Sequence, residues 1–271
     1  MPDFMIESHD ELRLDLYRDL KDAQPLDSGV FIAEGEKLVR RLLASPCRTK
    51  SILCTAAART ELADCIPPET PVYVATTAII KRLVGFKFHR GVLAAGMPPA
   101  NRTLQSILDQ PATGCGRSLV VACPEIRDPA NLGSIIRSAA AFGAACVVAG
   151  HRGTAPFSRR VLRTSMGAVL NLPIVLTDEW DCTVDLLHRH GYETIATVLD
   201  SNAEALANAA LPERVAVLLG NEDSGLPNDL VARCQRRVGI PMADAGMSLN
   251  VAVAAGIVLN HFRPATTTRR L

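Results

Sequence analysis

The sequence predicts an α/β chain whose second half carries a mostly parallel sheet. Three observations lead there. Apolar runs of strand length, such as Ser118–Cys123 and residues 215–219, lack polar alternation, as strands buried on both faces do. Stretches rich in Leu and Ala at helical spacing separate them. Of 271 residues, 48% are apolar but only 4% aromatic, so Leu, Ile, Val and Ala must build the core.

The elements follow in order. The first 28 residues read as a charged helix ending in a turn from Pro25 to Gly29. Residues 30–33 read as a strand and 36–44 as a helix with Leu38, Leu42 and Leu43 on one face, stopped by Pro46. Strands at 51–54, 72–75 and 90–95 alternate with an alanine-rich helix and a helix at 78–83. This is a small α/β domain, residues 1–100. Turn residues dominate 96–101 and 111–116, marking a linker over 101–116 with a short helix at 104–109. The second domain, 117–271, opens with the strand at 118–123 and a helix over 131–142. Strands at 145–149, 173–176, 193–198, 215–219 and 237–240 follow. Helices are expected at 159–169, 184–190, 227–233 and 249–261, before a polar tail from Arg263 to Leu271.

Formal net charge is +1, so the distribution of charge must speak for the partner. Between Asp128 and Asp178 there is no acid but there are five arginines, at 137, 152, 159, 160 and 163. Lys81, Arg82, Lys87, His89 and Arg90 form a second basic patch. Arginine suits bidentate phosphate contacts, and GC-rich coding also produces it. Eight scattered cysteines form no C-x₂-C pair, which fits free thiols in a reducing cytosol rather than zinc or a disulfide framework. Neither a signal peptide nor a membrane span is expected. No G-x-G-x-x-G or P-loop pattern supports a nicotinamide or ATP site.

Chemistry concentrates at three polar turns joined to apolar runs: Asn131-Leu-Gly-Ser-Ile-Ile-Arg137, Leu218-Leu-Gly-Asn-Glu-Asp-Ser-Gly-Leu226 and Ser248-Leu-Asn-Val-Ala-Val-Ala-Ala-Gly256. Turns that leave a strand and start a helix collect ligands at the carboxyl edge of a sheet. Singly, each has a capping or packing explanation. Ser248 reads as a helix N-cap, with Asn250 at the second helical position.

In combination, these segments resemble the three signature motifs of the TrmH/SpoU family, RNA ribose 2′-O-methyltransferases of the SPOUT superfamily. The first reads Asn131-Leu-Gly-x-x-x-Arg137-x-Ala-x-x-Phe-Gly143, the second Leu219-Gly-Asn-Glu222-x-x-Gly225-Leu226. The third is Ile240-Pro241 followed by the segment from Ser248 to Gly256. Arg160 to Pro173 is similar to the family's arginine-serine-methionine-glycine stretch. The segment 30–39 with His89-Arg-Gly-Val92 resembles an accessory RNA-binding domain related to ribosomal protein L30e. Ala130 stands where the family usually has glycine.

The resemblance implies a C-terminal SPOUT domain with a deep trefoil knot and mostly parallel sheet, preceded by a small L30e-like α/β domain. It implies S-adenosylmethionine held by Leu218, Leu219, Gly220, Asn221, Ile240, Pro241, Met242, Met247, Ser248 and Leu249, with no metal. Arg137 would activate or position the ribose hydroxyl, with Asn131, Glu222, Ser248 and Asn250 shaping its surroundings. The enzyme would be a cytoplasmic homodimer joined through its C-terminal domain. Structured RNA, 23S or other large-subunit rRNA foremost, would lie on Arg152, Arg159, Arg160, Arg163, Lys37, Arg40, Arg41, Lys81, Arg82, Lys87 and Arg90. A tRNA substrate, a base methyltransferase and a non-catalytic assembly factor are the rival readings.

Overall fold

A computed structural model describes residues 3–20, 29–86, 88–100, 102–110, 117–244 and 247–264. The chain divides into two units, Met1–Ala100 with Phe157–Asn171, and Asn101–Pro156 with Leu172–Leu271.

The first unit is built on a mixed sheet of five strands, β1 (Asp3–Met5), β2 (Phe31–Glu34), β3 (Arg48–Cys54), β4 (Val72–Val74) and β5 (Val92–Met97), in the order β1-β4-β3-β5-β2. Helices α1 (Glu36–Leu43), α2 (Ala56–Glu61) and α3 (Thr77–Val84) accompany it. Thr55 and Thr76 end strands and cap helices: their hydroxyls accept from the N–H of Ala58 and Ile79. The helix expected near the N-terminus is instead the edge strand β1 and one 3₁₀ stretch, Leu12–Tyr17. Leu14, Tyr17 and Leu20 recur every third residue, the 3₁₀ period, and all three are buried. The buried Tyr17 hydroxyl hydrogen-bonds Ser51 Oγ at 2.8 Å and accepts from the Ala95 N–H at 3.2 Å. The expected turn over 25–29 lies, save Gly29, outside the described residues.

The segment 157–171 belongs to this first unit, a placement the sequence did not announce. It holds α6 (Arg159–Thr164) and a 3₁₀ turn, Ala168–Leu170, rather than one helix over 159–169. The break falls at Met166 and Gly167, whose φ values are +52° and +78°. Arg159 anchors the segment. Its guanidinium pairs with Glu34 at 3.0 Å, donates to the Leu20 carbonyl at 2.6 Å and lies 4.2 Å from the Phe86 ring centroid. Phe157 stacks on Phe31 at 5.2 Å.

The second unit is an all-parallel sheet of seven strands. They are β6 (Ser118–Cys123), β7 (Cys146–Gly150), β8 (Ile174–Thr177), β9 (Glu193–Thr197), β10 (Glu204–Ala205), β11 (Arg214–Leu218) and β12 (Arg236–Gly239). Their order is β10-β12-β9-β11-β6-β7-β8, so β11 returns between β6 and β9, with Ala216 opposite Val120 and Thr194. Helices α4 (Leu104–Leu108), α5 (Pro129–Ala141), α7 (Trp180–Arg189), α8 (Asn228–Arg233) and α9 (Val251–Phe262) complete it. The two-residue β10 escaped sequence reading. In place of a free linker, α4 joins the core: Leu104, Ile107 and Leu108 pack with Val120, Cys146 and Val148. Residues 101 and 111–116 of the expected linker lie outside the described residues.

The described cysteines are free, and burial pushes the thiols of Cys54, Cys123 and Cys146 up to about 12. Among the described residues, no helix is long and apolar enough to cross a membrane.

Because Arg159 is largely buried against Glu34, removing one partner strands the other. Glu34→Ala is expected to destabilise the protein by roughly 2–4 kcal/mol, read by denaturant unfolding. An unchanged midpoint would mean that the pair does not hold the segment.

Candidate functional site

A parallel sheet puts all strand C-termini on one edge, so the turns after β6, β9, β11 and β12 converge there. At that edge lies a cleft of about 860 Å³ formed by residues of the second unit alone.

The turn after β6 leads into α5 through Asp128, whose carboxylate accepts from the Ala130 N–H at 2.7 Å, with Pro129 at the first helical position. Ala130 thus lies inside the first turn with a negative φ, and no glycine is needed there. The turn after β11 folds on itself: Asn221 and Gly225 exchange both backbone hydrogen bonds at 3.0 Å. The buried Asn221 amide fixes the loop, accepting from the N–H of Asp223 and Ser224 and donating to the Glu125 carbonyl. A Cβ on Gly220 would come within 2.6 Å of the Gly225 and Leu226 backbone, so only glycine fits this close return.

Glu222 joins the motifs. Its carboxylate accepts from Asn131 Nδ2 at 3.0 Å and from the N–H groups of Arg127 and Asp128 at 3.2 and 3.1 Å. Asn131 is buried and in turn accepts at Oδ1 from Asn250 Nδ2, 3.0 Å away. Asn250 Oδ1 accepts from the Ala252 N–H and so caps α9. The cap expected at Ser248 is therefore Asn250, because the helix starts two residues later than predicted. Burial pushes the Glu222 carboxyl up, but donation from Asn131 and the surrounding backbone N–H groups outweighs it, leaving it below its ordinary value.

Of the residues expected to hold a cofactor, Gly220, Asn221, Ile240, Met242, Ser248 and Leu249 line this cleft. Leu218 and Leu219 are buried beneath it. Pro241 lines a different hollow with Ile257, and Met247 is exposed outside both. Asn131, Glu222, Ser248 and Asn250 line the cleft too, but Arg137 does not. It stands exposed on α5, its side chain without a hydrogen bond or ion pair among the described residues. Sequence reading missed the wall supplied by Thr197, Leu199 and Asp200, although the end of β9 reaches the same carboxyl edge. Thr197 ties that end to β11 by donating to the Leu218 carbonyl at 2.8 Å.

The basic residues divide. Arg152 belongs to the second unit, while Arg159, Arg160 and Arg163 belong to the first. The Arg159 guanidinium is engaged within the protein, unlike the open platform expected of it. Arg40 pairs with Glu36 and Asp64. Lys37, Arg41, Lys81, Arg82, Arg90, Arg152, Arg160 and Arg163 are exposed. Lys87 lies outside the described residues. Among the described residues, no group of three or more metal-ligating side chains comes together.

Comparison with known proteins places these features. The profile of the SpoU rRNA Methylase family matches residues 118–260. An uncharacterized tRNA/rRNA methyltransferase of Mycobacterium tuberculosis is 34% identical over 92% of this chain and 87% of its own length. A 23S rRNA (guanosine-2′-O-)-methyltransferase of Acinetobacter baylyi is 31% identical over 73% of this chain and 79% of its own. The structure of an AdoMet-bound rRNA methyltransferase from Sinorhizobium meliloti superposes with a TM-score of 0.80 at 26% identity, covering 96% and 97% of the two chains.

Since the folded state holds the Glu222 carboxyl below its ordinary 4.5, it adds stability above that value, lost as pH falls through the lower folded value. Thermal unfolding from about pH 6 to about pH 3 should therefore show a steeper acid loss for the parent than for Glu222→Gln. Parallel curves would sink the idea.

Proposed function

The chain belongs to the SpoU rRNA Methylase family, and from that premise we propose that it transfers the methyl group of S-adenosylmethionine to a ribose 2′-hydroxyl of ribosomal RNA. The observation that carries this reading is the hydrogen-bonded chain Glu222–Asn131–Asn250 set in the wall of the cleft. A polar chain that joins three turns through the buried Asn131 is a costly arrangement to retain for packing alone, which weighs against a non-catalytic assembly factor.

The residues present fit S-adenosylmethionine. The cleft offers apolar walls from Leu199, Ile240, Leu249 and Val258 beside the main chain of residues 220–226. Such a lining takes a flat apolar ring and a polar tail together. The cofactor supplies an electrophilic methyl group on a sulfonium centre.

The chain's own residues supply position and charge. Glu222 locks the Asn131 amide in one orientation, and Asn131 does the same for Asn250. These amides hold the ribose. A guanidinium is a poor base, so the work of Arg137 is to steady the developing negative charge on the ribose oxygen rather than to take the proton. Arg137 stands outside its own cleft, which supports a homodimer in which α5 of one protomer serves the cleft of the other. An exposed apolar stripe leading into and along α9, Leu249, Val253 and Ile257, offers the matching surface. The rRNA assignment draws on the 23S and S. meliloti relatives. The reducing cytoplasm suits the buried free thiols.

Tritiated methyl transfer to 23S rRNA and to tRNA, with mass spectrometry of nuclease-resistant dinucleotides, tests the reaction. Label in tRNA alone overturns the substrate, and label on a base overturns the 2′-O reading. Arg137→Ala should lower turnover by about 10²–10³. By sedimentation the parent should be a dimer, and Val253→Asp with Ile257→Asp a monomer. A monomeric parent would contradict the shared site.

A further inference from the structure

The cleft at the carboxyl edge carries an imbalance of charge that the Glu222–Asn131–Asn250 chain does not explain. Six ionisable side chains line it: Arg127, Asp128, Asp200, Glu222, Asp223 and Arg237. Both guanidinium groups are already engaged. Arg127 turns to Glu125, a carboxylate that does not line the cleft, and Arg237 faces Asp200 across 3.6 Å. Asp128, Glu222 and Asp223 are left without an ion pair among the described residues.

The partners of these three are neutral. Glu222 accepts from the Asn131 amide and from two backbone N–H groups, and Asp128 accepts from the Ala130 N–H. Such donors satisfy a carboxylate without cancelling its charge. The N-terminus of α5 offsets part of the charge on Asp128. Asp223 stands exposed on the turn after β11, where its own N–H donates to Asn221 Oδ1 at 3.0 Å. The opposing walls are apolar, with Leu199, Ile240, Leu249 and Val258. Low-dielectric walls focus the field of a cleft lined by charges of one sign.

Methyl transfer changes the charge of what such a cleft holds. The carbon–sulfur bond of the sulfonium breaks, its electron pair stays on sulfur, and a new bond joins the methyl carbon to the ribose oxygen. The hydroxyl proton passes to solvent. The product, S-adenosylhomocysteine, is therefore a neutral thioether where the cofactor was a cation. The methionine tail, an ammonium beside a carboxylate, is the same in both and contributes nothing to the difference.

We propose that Asp128, Glu222 and Asp223 make this cleft selective for the cationic cofactor over its neutral product, so that the product leaves once the methyl group is gone. The proposal rests on the methyltransferase reading of the same cleft and adds a specificity that the three motifs do not state. An arginine lent by a second protomer, as that reading has it, cancels one of the three charges and leaves the balance negative.

The test is isothermal titration of the full chain, at low salt, with three ligands. They are S-adenosylmethionine, S-adenosylhomocysteine and sinefungin, in which a protonated amine on carbon replaces the methylated sulfur. The parent should bind both cations about tenfold tighter than the thioether, the scale of a few solvent-facing carboxylates acting on one charge. Added salt should narrow the gap. Asp128→Asn with Asp223→Asn should close it by about threefold or more while leaving the affinity for S-adenosylhomocysteine unchanged. Asparagine keeps the cap on α5, so the helix start survives the change. Arg237→Gln leaves Asp200 unpaired and should widen the gap, a gain that loss of folding does not produce.

Equal affinity of the parent for all three ligands overturns the proposal while leaving the methyltransferase reading in place. Sinefungin grouping with the thioether overturns it too, because the preference then belongs to the methyl group rather than to charge. An equal loss of all three in the double variant assigns the carboxylates to packing and overturns it. Binding of none of the three by the parent overturns both readings.

Discussion

A single carboxylate, Glu222, determines how three distant turns meet. It accepts from two backbone N–H groups that open α5 and from the side chain of Asn131, which then holds Asn250 at the start of α9. Two helices and the return of β11 are thereby fixed to a common point. Asn131 is buried, so loss of the carboxylate leaves its amide without that acceptor, whereas the Arg127 and Asp128 N–H groups lie at the exposed entry to α5. The packing of α5 on α9 and the shape of the cleft wall both follow from that point.

Legibility followed the physics of each element. Strands β6, β7 and β11 were readable because burial on both faces produces unbroken apolar runs. The helix over 12–17 was not readable as 3₁₀, because the short spacing of Leu14, Tyr17 and Leu20 was lost in a charged stretch. The helix α9 starts two residues later than expected because Asn250, and not Ser248, accepts from the Ala252 N–H, while its amide donates to Asn131. The motifs named Asn131, Glu222 and Asn250 from sequence, but their hydrogen bonds span 91 and 119 residues of chain. No local pattern encodes such pairings. Thr197, Leu199 and Asp200 carried no motif, although the carboxyl-edge rule applies to β9 as to its neighbours.

Charge was legible as composition and not as availability. The arginines after β7 look equivalent in sequence, yet Arg159 is enclosed by Glu34 and Phe86 while Arg163 stands free. The acids that pair with Arg159 and Arg40 lie far off in sequence or on the other side of a helix turn. Their effect is to withdraw three negative charges, those of Glu34, Glu36 and Asp64, from the remaining cations. Net charge near zero therefore coexists with a locally unbalanced surface.

The excursion of residues 157–171 bears on how the protein is made. Chains leaving a ribosome usually complete one domain before the next is synthesised. Here the first unit needs α6, whose Val161 and Leu162 are fully buried, and whose Arg159 neutralises Glu34. Strands β6 and β7 of the second unit emerge before it does. The nascent N-terminal sheet therefore waits with an uncovered apolar face until residue 171 is free, and the two units must mature as interleaved partners. A fragment cut after Ala100 would carry that uncovered face permanently.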